Sequence, residues 1–331
     1  MKRKLFSIVT PCYNEEENVL KCYQAVEKLF ESELKNYELE YIFCDNCSTD
    51  RTVDVLKEIA KKDKRVKVIV NSNNFGAFRS MFNGMINTKG DIVVPFLPAD
   101  MQDPPEVLIQ FVKLWEEGYK VVYGQRTNRQ ESWFKKTLRK VFYRFIKKYS
   151  NTNVPVDAGE FQLIDRQVVE ALKQFDDYKP YLRGMIAMCG FKSIGVPYTW
   201  QKREKGQSKA GLSVMLHEGL NGMVSMTNFP IRFGLILGFI LSFLSILYAF
   251  IALILFIFDR SLVDRGIPTI MVALFFFSGV QLFFTSLIGE YVASIHSQVR
   301  KGPLVIEAER INFDEKENTD QHFNIQLTNI R

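Results

Sequence analysis

The stretch Phe6-Ser-Ile-Val-Thr-Pro-Cys-Tyr-Asn-Glu-Glu-Glu17 joins a short apolar run to an abrupt cluster of polar residues. Residues 6–10 have the length and β-branched content of a buried strand. Residues 16–34 follow with the apolar spacing of a helix. The stretch therefore predicts a strand, a polar loop and a helix in succession.

The same unit recurs along the first 125 residues. Further strands are predicted at 40–44, 66–70, 91–96 and 121–123, and further helices at 49–62, 75–87 and 104–117. Such alternation predicts a mostly parallel sheet with helices on both faces. Ligands of these sheets bind beyond the carboxyl ends of the strands, so the residues that follow each strand should hold the site.

Polar clusters follow four of the predicted strands, at residues 11–17, 45–52, 73–76 and 98–106. Taken singly, each cluster can be a helix cap, because Ser48, Thr49 and Asp103 are good N-cap residues. Taken together, clusters at successive strand ends predict one site at one edge of the sheet. Simple capping is the alternative interpretation.

Average composition resembles that of a soluble protein, with 47% hydrophobic and 24% charged residues. These values exclude a disordered or collagen-like chain. The average hides segregation, because twelve of the 28 phenylalanines lie between Phe229 and Phe284. Residues 233–258 and 267–288 carry no charged side chain, and each run is long enough to cross a bilayer. We predict a two-helix transmembrane hairpin, with buried core helices as the alternative.

The hydropathy pattern divides the chain into four parts. We expect a cytosolic catalytic domain at 1–208, an amphipathic juxtamembrane helix at 209–230, two transmembrane helices at 231–295 and a cytosolic tail at 296–331. The helix at 209–230 could alternatively pack on the cytosolic domain. The tail should be poorly ordered beyond about residue 306.

Positive charge flanks the outer ends of both runs, with Arg232 before the first and Arg300 and Lys301 after the second. The positive-inside rule therefore places the catalytic domain and the tail in the cytosol. We predict an integral protein of the inner (cytoplasmic) membrane. Its uncharged helices leave surface through which a homo-oligomer could form.

Basic residues are concentrated in one segment, although the net charge of the chain is only +6. Between Arg126 and Lys148, nine Lys and Arg residues face a single acidic residue, Glu131. Aromatic residues alternate with them, which suits a lipid bilayer with anionic headgroups. A solvated basic face is the alternative. We expect no nucleic-acid partner, because the apolar runs follow downstream.

The polar clusters resemble the motifs of family 2 glycosyltransferases of GT-A fold, and among these the polyprenyl-phosphate glycosyltransferases, such as dolichol-phosphate mannose synthase and the bactoprenol glucosyltransferases. The motifs are P-x-Y-N-E at 11–15, D-N-x-S-x-D-x-T at 45–52, A-D-x-Q-x-P-P-E at 99–106 and D-A-G-E-F-Q-L-I-D-R at 157–166. The resemblance covers the chain from about Phe6 to Arg300. It implies an α/β fold in which a Rossmann-like, mostly parallel sheet precedes the transmembrane hairpin.

The resemblance also implies roles for individual residues. The nucleotide of a sugar donor would be bound by Pro11, Tyr13, Asn14, Glu15, Asp45, Gly76, Arg79 and Asp100. Mg²⁺ or Mn²⁺ at the donor diphosphate would be held by Asp100 and Gln102. The lipid phosphate would be bound by Arg126 and Arg139, and a loop with Arg203, Ser208 and Lys209 would close over the donor phosphates. Asp157 would be catalytic or orient the acceptor, with a simple turn residue as the alternative.

Two positions depart from the family pattern. Pro98 stands where the first carboxylate of an Asp-x-Asp motif is usual, and Asn46 stands where a second Asp usually follows Asp45. One metal-ligating carboxylate is therefore missing, which implies lower metal affinity or compensation by Asp103.

The implied reaction is an inverting, metal-dependent transfer of a single sugar to undecaprenyl phosphate at the cytosolic membrane face. UDP-glucose is the first expected donor, with GDP-mannose or another UDP-sugar as alternatives. An ionised phosphate needs no strong general base, so positioning and charge stabilisation would carry the catalysis. A processive polysaccharide synthase and an inactive scaffold are the alternative functions, the latter because of Pro98.

Overall fold

The computed structural model describes residues 3–127, 158–178, 180–201, 267–300 and 302–314, with scattered helical positions between 233 and 251. The chain divides into two compact units. The first unit contains the N-terminal α/β region and the residues after 300, and the second contains the apolar helix near the C-terminus.

Among the described residues, eight strands form a single sheet in the first unit. They are β1 (Lys4–Cys12), β2 (Tyr37–Asp45), β3 (Val66–Asn71), β4 (Ile92–Val94), β5 (Val121–Thr127), β6 (Ala158–Asp165), β7 (Ser193–Thr199) and β8 (Glu307–Ile311). Their order across the sheet is β7-β5-β6-β4-β1-β2-β3-β8. β6 and β8 run antiparallel to their neighbours, and the remaining neighbouring pairs are parallel. The predicted mostly parallel sheet is confirmed.

In the described part of the first unit, six helices accompany the sheet: α1 (Val19–Ser32), α2 (Thr52–Lys62), α3 (Ala77–Ile86), α4 (Val107–Glu116), α5 (Arg166–Leu172) and α6 (Leu182–Met188). The first four begin two to three residues later than the sequence predicts. The polar residues before α1 and α2 are held in loops by side-chain hydrogen bonds, which replace the first turn of the expected helix.

Both faces of the sheet are covered. Along β1, Ile8 belongs to the core cluster with α1, α2 and α4, whereas the next residue, Val9, packs on the opposite face with Ile42. This alternation is the ordinary consequence of a strand whose neighbouring side chains point to opposite faces. A second cluster joins α3, α5 and α6 through residues such as Met81 and Val168. The predicted helical layers on both faces are therefore confirmed.

Helix α3 lies unusually close to the sheet because of Gly84. A Cβ atom at this position would lie 2.5 Å from Sγ of Cys44 and 2.6 Å from Cγ1 of Val9. The close approach fixes the height of α3 above the carboxyl ends of β1 and β2.

Residues 307–311 contradict the expectation of poor order, and residues 315–331 lie outside the described residues. Residues 307–311 form β8, which pairs antiparallel with β3 from Val68 to Asn71. The prediction was wrong because this strand, Glu-Ala-Glu-Arg-Ile, has few strand-forming residues of its own. Its pairing with a buried neighbouring strand supplies what its composition lacks.

Helix α7 (Ile267–Val299) is the main described element of the second unit. Its 33 residues extend roughly 50 Å. Among the described residues, the segment Phe276–Val299 is long and apolar enough to cross a membrane, and its most apolar stretch contains no buried residue. The predicted span at 267–288 is thus helical. Most of the predicted span at 233–258, and the predicted helix at 209–230, lie outside the described residues.

Candidate functional site

The candidate site lies at the carboxyl edge of the sheet, where the chain leaves β1, β2, β3 and β4. β1 is paired on one side with β2 and on the other with β4, so the strand order reverses between β1 and β4. Loops that leave neighbouring strands in opposite directions create a crevice at such a reversal. The residues that follow β1 and β4 therefore border the crevice.

Asn14 fixes the loop after β1 against the loop after β2. Its backbone lies in the left-handed region, with a φ of 55°. Its N–H donates to Oγ of Ser48 over 2.9 Å, and its Oδ1 accepts from the N–H of Thr49 over 2.8 Å. Asn tolerates this conformation better than most residues. The reciprocal bonds hold the two loops together at the edge of the crevice.

Asp45 is the last residue of β2 and is buried. Its carboxylate accepts from the N–H of Ser48 at 2.9 Å and from the Ser48 hydroxyl at 2.5 Å. Burial raises the pKa of Asp45, although the hydrogen bonds from Ser48 oppose the rise. In this structure the carboxylate shapes the loop that would face a donor.

A second pair of contacts orders the same loops further from the strands. The N–H of Glu15 donates to Oγ1 of Thr52 over 2.8 Å, and the Thr52 hydroxyl and N–H both donate to Oδ1 of Asp50. Partial burial alone would raise the pKa of Asp50, but these hydrogen bonds outweigh it and lower the pKa. Pro11 and Tyr13, on either side of Cys12 at the end of β1, are half-buried beside these loops.

Asn46 connects the loop after β2 to the loop after β3. Its Oδ1 accepts from Nδ2 of Asn71 over 3.0 Å and from the N–H of Phe75 over 3.4 Å. Gly76 follows with a φ of 87°, a conformation suited to glycine, and directly precedes α3. The amide that replaces the usual second Asp is thus a bridge between two loops of the site.

Arg79, predicted to bind the donor nucleotide, lies in the first turns of α3. Its Nη2 donates to the carbonyl oxygen of Pro303 over 2.9 Å. Its guanidinium carbon lies 4.2 Å from the ring centre of Tyr178 and 5.4 Å from that of Phe75. The bond to Pro303 therefore holds α3 against a residue that follows α7 in the chain.

Asp100 and Gln102 lie together on the turn between β4 and α4. The N–H of Gln102 donates to Oδ1 of Asp100 over 3.2 Å, and Met101 between them has a φ of 58°. The carbonyl oxygen of Gln102 accepts from the N–H of Gln201, just after β7, over 3.0 Å. Asp100 is half-buried and borders the crevice, so its carboxylate could bind a cation that a ligand in the crevice also binds.

A largely buried ion pair between Asp103 and Arg126 stabilises that turn. Asp103 has no exposed surface, and its Oδ2 lies 2.9 Å from Nη2 of Arg126 on β5. The hydroxyl of Tyr198 on β7 donates to Oδ1 of the same carboxylate. Burial alone would lower the pKa of Arg126, but Asp103 and Tyr198 outweigh it and raise the pKa. Asp103 is therefore committed to Arg126 and Tyr198, and Arg126 to the support of the turn.

Five of the predicted site residues lie outside the described residues: Asp157, Arg139, Arg203, Ser208 and Lys209. Asp157 directly precedes Ala158, the first residue of β6, which pairs with Gln125 near the end of β5. Because β6 runs antiparallel to β5, the chain enters β6 at the carboxyl edge. The roles of these residues stay predictions.

Several residues that order the site have no predicted binding role. Ser48 and Thr52 carry a signal, since hydroxyl residues at the start of a predicted helix can bond the preceding loop. Tyr198 carries none, because it belongs to a strand that is remote in sequence from Asp103.

A divalent cation fits the donor set only if a ligand supplies most of its coordination. Within the described part of the chain, no group of three or more His, Cys, Asp or Glu side chains is arranged to hold a metal. Asp100 and Gln102 offer a carboxylate and an amide oxygen on one turn. Hard cations accept such oxygen ligands and often take the rest from phosphates and water.

The chain is similar in sequence to known glycosyltransferases. Residues 7–173 match the family described as Glycosyl transferase family 2. The chain is 34% identical over 96% of its length to the uncharacterized glycosyltransferase YkcC of Bacillus subtilis, of which 98% is covered. It is 30% identical over 91% of its length to a prophage bactoprenol glucosyl transferase homolog of Escherichia coli, of which 97% is covered. A solved mannosyltransferase from Pyrobaculum calidifontis, in complex with GDP-Man and Mn2+, aligns with a TM-score of 0.45 and 21% identity over 63% of this chain and 59% of that one.

The mostly parallel sheet, with its polar loops at a strand-order reversal, defines an α/β protein of GT-A type. The chain belongs to glycosyltransferase family 2. The predictions of a family 2 glycosyltransferase and of an α/β fold with a mostly parallel sheet are therefore confirmed. The two-helix transmembrane hairpin stays a prediction.

Proposed function

We propose that this enzyme transfers a single sugar from a nucleotide sugar, with UDP-glucose as the first donor to test, to a polyprenyl phosphate. The observation that carries the proposal is that the loops after β1, β2 and β3 are bonded to one another at the edge of the sheet where the turn of Asp100 and Gln102 also leaves β4. A nucleotide diphosphate needs both parts: loops that enclose a base and ribose, and oxygen ligands for a phosphate-bound cation.

The acceptor is proposed from the relatives. Proteins named bactoprenol glucosyl transferase match 91% of this chain at 30% identity. The apolar helix α7 supports a membrane-embedded acceptor, because exposed apolar side chains such as Leu274, Phe283 and Val299 are stable in lipid and costly in water.

The basic residues Arg300 and Lys301 directly after α7 support a cytosolic catalytic unit on an integral inner-membrane protein. In this arrangement the lipid phosphate would be bound by Arg139, in the basic segment at 126–148. The close contacts of Arg126 with Asp103 favour a supporting role for that residue.

A bound Mg²⁺ or Mn²⁺ would be held by Asp100 and Gln102 and would supply charge stabilisation for the departing diphosphate. The chain itself provides positioning. Asn14 and Asp45 fix the donor loops, and Asp157, at the entry to β6, would orient the acceptor phosphate. Arg203, Ser208 and Lys209 would close over the donor phosphates, which shields the reacting groups from water.

The proposal is tested by the product. Purified protein in detergent is incubated with undecaprenyl phosphate and a panel of labelled UDP- and GDP-sugars, and the products are separated by mass. One sugar on one lipid phosphate supports the proposal. A polymer would identify a processive synthase, and no product with any donor would identify an inactive scaffold.

Asp100→Asn tests the metal turn. The substitution removes a charge from the cation's ligand set, and we expect turnover to fall by about 100-fold at saturating donor, with partial recovery at raised Mn²⁺. Asp91→Asn is the matched control, because Asp91 lies before β4 at the opposite edge and accepts from the N–H of Leu5. Equal turnover of the two variants would show that Asp100 holds no essential cation.

Asp157→Ala tests the acceptor side. We expect transfer to be abolished while the affinity for the nucleotide, measured by calorimetry, stays within about twofold of the wild type. Retained turnover would remove Asp157 from the reaction.

A further inference from the structure

The chain after α7 returns to the first unit and follows the donor side of the sheet. We call residues 302–314 the C-terminal segment. Its strand β8 pairs with β3 up to Asn71, the last residue before the loop that leads to α3. Beyond that point, the N–H and the hydroxyl of Ser72 both donate to the carbonyl oxygen of Ile306, at 2.9 Å and 3.1 Å. The first residue of the donor loop is thus bonded to the C-terminal segment.

The same segment occupies one face of α3. Arg79, Asn83 and Asn87 are spaced four residues apart and therefore share a helix face. Arg79 donates to the carbonyl oxygen of Pro303, and Nδ2 of Asn83 donates to Oε1 of Glu307 over 2.6 Å. Asn87 accepts from Nη2 of Arg310 over 3.1 Å. Two turns of α3 and the residue directly after the helix are bonded to the segment.

Glu307 is the central contact. Its side chain is 10% exposed and forms an ion pair with Arg310, which is 8% exposed. The Glu307 carboxylate therefore binds both Asn83 of α3 and the guanidinium of Arg310 on β8. Removal of such a carboxylate leaves a nearly buried amide and a nearly buried guanidinium without their partner, which costs far more than the loss of a surface contact.

We infer that the C-terminal segment is a positioning element for the nucleotide donor, and that Glu307 is its main positioning residue. The segment holds the loop 72–76 and the start of α3, the parts of the chain that carry Gly76 and Arg79, in one arrangement. Since it follows α7 after only two residues, the same segment ties the donor loop to the apolar helix along the chain. The inference rests on the proposed donor site.

The test uses the full-length protein in detergent and two readouts. The first is affinity for UDP and for GDP by calorimetry. The second is hydrogen exchange of the peptide containing Ser72, without nucleotide. We expect Glu307→Ala to weaken the binding of the nucleotide recognised by the wild type by about tenfold and to speed exchange at Ser72 by a similar factor. Glu307→Gln, which keeps an acceptor for Asn83, should restore affinity to within about threefold.

Glu309→Ala is the matched control. Glu309 lies on the same strand and pairs with Lys57, and both side chains are more than 40% exposed. We expect its affinity and its exchange at Ser72 to equal those of the wild type. An equal loss in this variant would overturn the inference, because general loosening of β8 would then explain the effect.

Asn83→Ala examines the same contact from α3. In a double-mutant cycle with Glu307→Ala, strong non-additivity of the two affinity losses supports the inference, and simple additivity overturns it. Unchanged nucleotide affinity in Glu307→Ala also overturns it. A wild type that binds neither UDP nor GDP would instead refute the proposed donor site.

Discussion

Two parts of the site are held in different ways. The loops after β1 and β2 are joined by hydrogen bonds between short polar side chains and backbone N–H groups, as with Asn14, Ser48 and Thr52. The turn after β4 rests instead on a buried ion pair, in which Asp103 meets Arg126 and Tyr198 from two other strands. The loops are stabilised by many modest contacts, and the turn by one costly contact.

The difference has a consequence for tolerance. A loop with several independent hydrogen bonds loses a little stability with each substitution, because each bond contributes about 1 kcal/mol. A buried pair that loses one partner leaves a desolvated charge behind. The turn after β4 should therefore be the more fragile of the two parts, and a single substitution there should cause a large loss of stability.

The largest expected effect belongs to Asp103→Ala. Removal of the carboxylate takes away the ion pair of Arg126, whose guanidinium keeps its hydrogen bond to the Tyr198 hydroxyl. We expect the free energy of unfolding to fall by about 3 kcal/mol or more. Chemical denaturation of the purified protein measures the loss. Glu170→Ala is the control, since its ion pair with Lys173 is exposed and should contribute less than about 0.5 kcal/mol. Equal losses would remove the contrast between turn and surface.

An intermediate effect is expected at Asn14. Asn14→Ala loses the bond from Thr49 and also places a Cβ-bearing residue without a local hydrogen bond at positive φ, so we expect a loss of about 2 kcal/mol. Asn14→Gly loses the same side chain without the backbone strain and should cost about 1 kcal/mol. Thermal unfolding of the two variants separates the cost of the lost hydrogen bond from the cost of the backbone strain. A glycine variant as unstable as the alanine variant would show that φ at this position carries no penalty.

The smallest effect concerns pH and Asp50. The pKa of Asp50 is lowered by its hydrogen bonds, so its stabilisation is present above the ordinary value of about 3.9 and is lost as pH falls through the lower folded-state value. Asp50→Asn should therefore be less stable than the wild type at pH 7, and the difference should disappear as pH falls below the folded-state pKa of Asp50. Denaturation curves across this range measure the difference. A gap that persists at the acid end would mean that charge is not its cause.

Asp45 is the matched control for this titration. Its pKa is raised by burial, so ionisation of Asp45 opposes folding as pH rises above its ordinary value. Asp45→Asn should change the pH dependence in the opposite sense to Asp50→Asn. The two neighbouring carboxylates should therefore change the pH dependence of stability in opposite directions.

The strand and loop order of the donor side was predictable, because each unit contains its own signal. Residues 6–17 and 40–52 combine an apolar run with polar capping residues, and both the strands and the polar loops were found where that pattern puts them. Local hydrogen bonds involve residues that are close in sequence or in neighbouring loops, so residue type alone indicates them.

The contacts of Asp103 that stabilise the turn after β4 were not predictable in the same way. Tyr198 is 95 residues from Asp103, and Arg126 was interpreted from its charge as a phosphate ligand. Nothing in a single sequence shows which buried carboxylate a distant arginine will meet. β8 was missed for a related reason, since its five residues gain their strand conformation from β3.

β8 also changes what the sheet presents to other molecules. Without it, the valine-rich strand β3 would form the rim of the sheet, with a row of unpaired peptide groups open to any passing chain. β8 covers that rim with a strand that carries Glu307, Glu309 and Arg310. Charged rims discourage the addition of further strands. The segment that follows α7 therefore lowers the tendency of the sheet to add a strand from a second copy of the chain.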